Sequence, residues 1–209
     1  MNGIEPILPD ERHPDLEDLA FDLVSAASSL AGQLNLTLRD AAGDLVRSMN
    51  CYYSNLIEGH NTLPRDIELA LAREYSTQPE KRNLQLEAVA HIEVQRQIDF
   101  GADAKLEPVS TEYIRWVHRE FCSRLPEELL WVENPDTGER LRVTPGEIRT
   151  GGVKIGMHVP PVGEEVTACL ERFEQAYTAP LGKFRKIVAI AAAHHRFLWI
   201  HPFLDGNGR

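Results

Sequence analysis

Basic residues are scarce in this chain: 22 lysines and arginines stand against 32 aspartates and glutamates, for a formal charge of −10. A nucleic-acid backbone is bound through a positive field, so this balance, without any basic run, excludes a nucleic-acid surface in this region. Cysteine is scarce too. Cys51, Cys122 and Cys169 lie far apart in apolar helical surroundings and form no C-x-x-C pair, which argues against a zinc site or a disulfide framework and for buried thiols in a reducing compartment. Long hydrophobic runs are missing, and none approaches the roughly 18 apolar residues of a membrane span. The first 15 residues carry Pro6, Pro9 and Pro14 and several acids, not the basic and then apolar regions of a signal peptide, so the expected location is cytoplasmic. There is no internal repeat, no low-complexity segment, and neither G-x-x-x-x-G-K-[ST] nor a G-x-G-x-x-G in strand-to-helix context.

What is present is ordinary for a soluble globular protein: 209 residues, 43% hydrophobic and 26% charged, enough for one full core or a core with a helical extension. Leu16, Leu19, Leu23, Val24 and Ala27 recur at helical spacing and mark a first helix over 15–31. Thr37 with Asp40 makes a capping-box-like start to a second helix, about 37–59, with Gly59 as its C-cap. Pro64 and Pro79 suit the first turns of helices reaching about 75 and 100. A polar connection over 101–108 is the expected boundary between an N-terminal helical region, 1–105, and a catalytic core, 106–209. Ser110 is the expected cap of a helix to about 124. Trp131-Val132 and Leu141-Arg142-Val143, around a turn-prone 134–138, predict a small hairpin. Apolar side chains at 153, 155, 157 and 159 alternate as in a strand. Helices over 163–177 and 182–200 complete a mainly α chain, the last one apolar on several faces and so expected to be central and buried.

The densest chemistry lies in the last nine residues, His201-Pro202-Phe203-Leu204-Asp205-Gly206-Asn207-Gly208-Arg209. Histidine accepts a proton near neutral pH, which makes His201 the candidate general base for a hydroxyl nucleophile. Asp205 suits Mg²⁺, an ion that takes one or two carboxylates together with substrate phosphates. The glycines around Asn207 permit close backbone approach, and a helix starting here would offer its unpaired N–H groups to an anion. Arg209 would clamp a phosphate oxygen, and Pro202-Phe203-Leu204 would anchor the loop in a core. Upstream, Ser54 and Glu58 share one helical face, and Glu58 falls at a helix C-terminus, where the dipole disfavours an anion and calls for a cationic partner. His194 and His195 match no zinc spacing with His201 and are read as packing or support for the loop.

His-Pro-Phe-Leu-Asp-Gly-Asn-Gly-Arg resembles the signature loop of Fic-domain proteins, H-P-F-x-D/E-G-N-G-R-x-x-R, and matches it at every position present. Members with this form of the motif transfer AMP from ATP to a protein hydroxyl. The resemblance therefore implies the Fic fold, a helical bundle with a small β-hairpin flap. It also implies ATP as substrate, Mg²⁺ on Asp205, His201 as the base, and Gly206, Asn207, Gly208 and Arg209 on the phosphates. The implied partner is a target protein with a Ser, Thr or Tyr hydroxyl; self-modification and a homodimer are compatible with this. Ser54, Glu58 and Gly59 are similar to the [S/T]-x-x-x-E-[G/N] of the family's inhibitory helix, whose glutamate pairs with the second motif arginine and blocks the γ-phosphate position. That arginine would lie beyond Arg209. Val153, Lys154, Ile155, Gly156 and Met157 look like the flap that pairs with the target's backbone and so aims its hydroxyl. Two alternatives stay open: an enzyme that also removes AMP, with Glu58 positioning water, and an inactive interaction module whose motif is cut at Arg209.

Overall fold

The computed structural model describes residues 4–208 apart from Pro6, 10–12, 103–104 and 135–136. Arg209, assigned above to a phosphate, lies outside the described residues, as do Pro135 and Asp136 of the expected turn and Pro6 of the N-terminal stretch. Three helices open on proline, whose missing N–H is no loss in a first turn: α1 (Pro14–Gln33), α3 (Pro64–Leu71) and α4 (Pro79–Asp99). Between the first two runs α2 (Leu36–Ile57). Its cap is Asn35, not Thr37: Asn35 Oδ1 accepts the Leu38 N–H at 2.9 Å, because the helix starts one residue before the threonine. α2 ends in a Schellman motif, with Gly59 N–H on Leu56 O at 3.2 Å and His60 N–H on Asn55 O at 2.8 Å. Then come α5 (Thr111–Cys122), the strands β1 (Trp131–Glu133) and β2 (Arg140–Arg142), α6 (Glu164–Thr178) and α7 (Lys183–Ile200). β1 and β2 pair antiparallel, Trp131 opposite Arg142, so the fold is mainly α with one small hairpin sheet.

Two expectations are corrected. Residues 153–159 form no continuous strand: Ile155 and His158 exchange two backbone hydrogen bonds, both 2.9 Å, around a turn at Gly156-Met157. The apolar alternation there leads outward, and Met157 is 98% exposed. α7 is not buried throughout either. Ala189 and Ile200 are its buried residues, while Phe184 and Ile190 are exposed, because within its unit it packs on α1 and α6.

The chain divides into two compact units drawn from interleaved stretches. The first comprises residues 1–41, 109–111 and 149–202. Val166, Leu170 and Phe173 of α6 and Ala189 and Ile200 of α7 are among its buried residues. The second comprises 42–108, 112–148 and 203–209. One of its clusters joins Cys51 of α2, Ile67 of α3, and Ala88 and Ile92 of α4. Another joins Ala90 and Val94 of α4 to Phe121, Cys122, Leu130 and Val143, with Leu204 packed against it. All three cysteines are buried, as read from the sequence.

His91 of α4 meets the Phe121 ring edge-on at 6.3 Å, and its Nδ1 is buried without a hydrogen bond. Burial pushes its pKa down to about 4, because an imidazolium there would lose its hydration. The folded state therefore binds fewer protons than the unfolded state between the ordinary histidine value and about 4, so stability is full above that window and falls as pH falls through it. The predicted loss is roughly 3 kcal/mol. Urea unfolding at neutral and acid pH should show most of it removed in His91→Phe; an equal acid loss in the variant would contradict the assignment.

Candidate active site

The signature loop spans the two units: His201 and Pro202 belong to the first, Phe203 onward to the second. Within the first, α7 ends because Pro202 cannot continue a helix. His201 takes a left-handed conformation, φ 49° and ψ 63°, and its N–H still bonds Phe197 O at 2.9 Å. A helix end leaves carbonyls unpaired. Arg149 meets them, donating from Nε to His201 O at 2.7 Å and from Nη2 to Ile200 O at 3.1 Å. Nη1 bonds Gly151 O at 2.8 Å and the Arg149 backbone N–H bonds Pro202 O at 3.0 Å. Burial lowers the Arg149 pKa from its ordinary value. Below it, His158 Nε2 is 2.8 Å from Trp199 O, tying the 155–158 turn to the last turn of α7. Of the residues expected to form a flap, Val153 is half-buried, and Lys154, Ile155, Gly156 and Met157 are exposed.

Within the second unit, the loop is held by its own asparagine. Asn207 Oδ1 accepts the Phe203 N–H at 2.9 Å and its Nδ2 donates to Phe203 O at 3.0 Å, a closed ring in a residue that is almost fully buried. The Asn207 side chain thus shapes the turn, as Phe203 and Leu204 do by packing. His118 of α5 lies flat on the Phe203 ring, centroids 3.8 Å apart and 8° from parallel. Gly146 N–H donates to its Nδ1 at 2.8 Å, so Nε2 carries the proton and donates to Asp205 O at 3.1 Å. Burial lowers the His118 pKa, which keeps the ring in the neutral form this pattern needs. The same burial pushes the neighbouring Cys122 thiol up to about 12, so it stays protonated. Gly206, at φ +78°, passes under the imidazole: a Cβ there would lie 3.5 Å from Nε2.

Ser54 and Glu58 both reach this loop. Ser54 Oγ donates to Gly208 O at 2.8 Å. A Cβ on Gly208 would collide with Glu58 Oε1 and sit 3.1 Å from its Cδ, so the carboxylate could not keep this position against a larger residue. Beside Asp205 and Gly206 opens a cavity of about 160 Å³, whose walls include His60, Glu87, Cys122 and Trp131. His60 Nδ1 is 2.8 Å from Glu87 Oε2 there. Asp205 itself is exposed while its carbonyl is fixed by His118. Among the described residues no three His, Cys, Asp or Glu side chains gather for a metal. A single solvent-facing carboxylate on a fixed backbone fits Mg²⁺, which completes its shell with water and phosphate oxygens. His194 and His195 are exposed, so neither is the packed support expected of them.

Residues 108–209 match the Fic/DOC family. The chain carries a Fic/DOC family domain. It is 40% identical to "Protein adenylyltransferase Fic" of Drosophila willistoni over 65 residues, 31% of this chain and 13% of that protein. The Drosophila erecta protein of the same name is 35% identical over the same share. The aligned stretch is thus a small part of these relatives. A solved Fic family protein from Desulfovibrio desulfuricans has the same fold at a TM-score of 0.67 and 17% identity, over 97% of this chain and 56% of that one. No described helix of the chain is long and apolar enough to cross a membrane.

The sequence reading missed Arg149 and His118, neither of which lies in a recognisable motif. His118→Ala should cost about 3 kcal/mol, since it removes the stack on Phe203 and leaves the Gly146 N–H buried and unpaired. His118→Phe keeps a ring but no hydrogen bonds, and should still cost about 1–3 kcal/mol. Urea unfolding checks both; a fully stable His118→Phe would show that stacking alone holds the loop.

Proposed function

We propose that this chain is the catalytic part of a protein adenylyltransferase, with 1–105 as its regulatory helical region and 106–209 as its Fic core. The observation that carries the reading is the complete His201-to-Gly208 signature on a loop whose turn is closed by Asn207 and whose base stands at the end of α7. His201 takes the proton of a Ser, Thr or Tyr hydroxyl on the target. The hydroxyl oxygen bonds the α-phosphorus of ATP as the bond from that phosphorus to the β-bridging oxygen breaks, and pyrophosphate leaves. Gly206, Asn207 and Gly208 face the phosphates through their backbone, with Arg209 as the cation beside them. Asp205 would hold Mg²⁺, which supplies charge neutralisation to the phosphates. Positioning and charge stabilisation give most of the rate in such transfers. The exposed Lys154-to-Met157 turn is the surface offered to the target's backbone. ATP, a hydroxyl-bearing protein and the chain itself are the candidate reactants.

Glu58 is read as the brake. Its carboxylate lies against Gly208 with the Ser54 hydroxyl on the same residue's carbonyl, so an anion already stands where phosphate oxygens would approach the Gly208 backbone. The same placement supports a second reading, removal of AMP with Glu58 orienting a water; Mg²⁺ and purified AMP-modified target would reveal it as free AMP.

Incubation with ATP labelled at the α-phosphate, followed by intact mass, tests the main reading: one added AMP on the chain or a target is expected, and none would leave an interaction module. His201→Ala should reduce transfer by on the order of 10²–10⁴ with ATP binding retained, because the base acts on the nucleophile. More than about a tenth of wild-type transfer would remove His201 from that role. Glu58→Gly should raise self-modification by about tenfold or more, the removed carboxylate no longer opposing a phosphate through like charge. Equal rates in wild type and variant would show that α2 does not inhibit.

A further inference from the structure

Arg149 is 6% exposed, yet it directs a guanidinium to three backbone carbonyls and answers its charge with their dipoles. Two of those carbonyls, Ile200 and His201, form the end of α7; the third, Gly151, stands where the flap begins. A cation at a helix C-terminus also meets the negative end of the helix dipole. His201 is a non-glycine residue at φ 49°, a conformation that costs roughly 1 kcal/mol and persists only where neighbours impose it. The guanidinium is planar and presents its donors in a fixed fork, so it sets the direction of all three carbonyls at once. An ammonium group is a point charge and cannot.

We propose that Arg149 is a positioning residue for AMP transfer, locking the His201 backbone to the root of the flap so that the imidazole meets the hydroxyl the flap presents. This rests on the transferase reading above. Misplacement of a reacting group by about 1 Å can cost on the order of 10² in rate, so the lock acts on the chemical step and not on nucleotide affinity.

The test uses the full chain and Arg149→Lys, which keeps the charge. Its kcat for AMP transfer should fall about 10- to 100-fold with KM for ATP unchanged. In a His201→Ala background the same substitution should produce no further loss, since a positioning residue has nothing left to position. A general structural role would lower both backgrounds by the same factor, and that result, or a wild-type kcat in Arg149→Lys, overturns the proposal. Amide hydrogen exchange supplies a readout independent of activity. In Arg149→Lys the amides at 149 and 201, bonded to Pro202 O and Phe197 O, should exchange about tenfold faster while those of α3 and α4 are unchanged. Unchanged exchange at 201 also overturns it. If the wild-type chain transfers no AMP, the transferase reading fails by itself, and the exchange result alone decides whether Arg149 holds His201.

Discussion

Every α-helix leaves carbonyls unpaired at its C-terminus, and in this chain the helix that delivers His201 must end abruptly, at Pro202. The Arg149 guanidinium resolves that constraint by taking the carbonyls of both Ile200 and His201. A turn that an L-residue rarely adopts thereby becomes a stable position for an imidazole. The segment that leads to the 155–158 turn starts from the same arginine through Gly151, so the His201 backbone and that segment share one buried anchor. Rigidity of this kind is what a reaction with little covalent work for the protein requires.

The second half of the loop follows the same logic with neutral groups. Asn207 closes on both backbone groups of Phe203, and His118 grips Asp205 from below while leaning on the Phe203 ring. The side-chain polar atoms are used up inside, which leaves the backbone of the glycines and the Asp205 carboxylate as what the loop shows to a ligand. Buried polar networks specify one conformation when each member is satisfied.

Local signals in the sequence carried far. The proline starts of α3 and α4, the Gly59 end of α2, the β1–β2 hairpin, the buried thiols and the Ser54-to-Gly59 face all depend on residues within a few positions of one another, and these were legible. Arg149 and His118 were not, because their roles are defined by partners 51 to 52 and 87 residues away in the chain. The closure of the Asn207 side chain on the Phe203 backbone was not legible either, since the signature names the residue without saying which groups its amide meets. The 153–159 alternation failed for a different reason: a period of two fits an extended strand, and the turn at Gly156-Met157 between the paired Ile155 and His158 interrupts it. α7 was misjudged likewise, since an all-round apolar pattern gives the capacity for burial and not the neighbours that supply it.

The close approach of Glu58 to Gly208 narrows how this protein can change over generations. A side chain at position 208 would evict the carboxylate, but it would also stand on the backbone to which the proposed reading brings a phosphate. Loss of restraint by that route therefore arrives together with damage to the site. If Glu58 is the proposed brake, substitution at 58 carries no such penalty, and the lineage can retune the restraint at the end of α2 while the loop itself stays fixed.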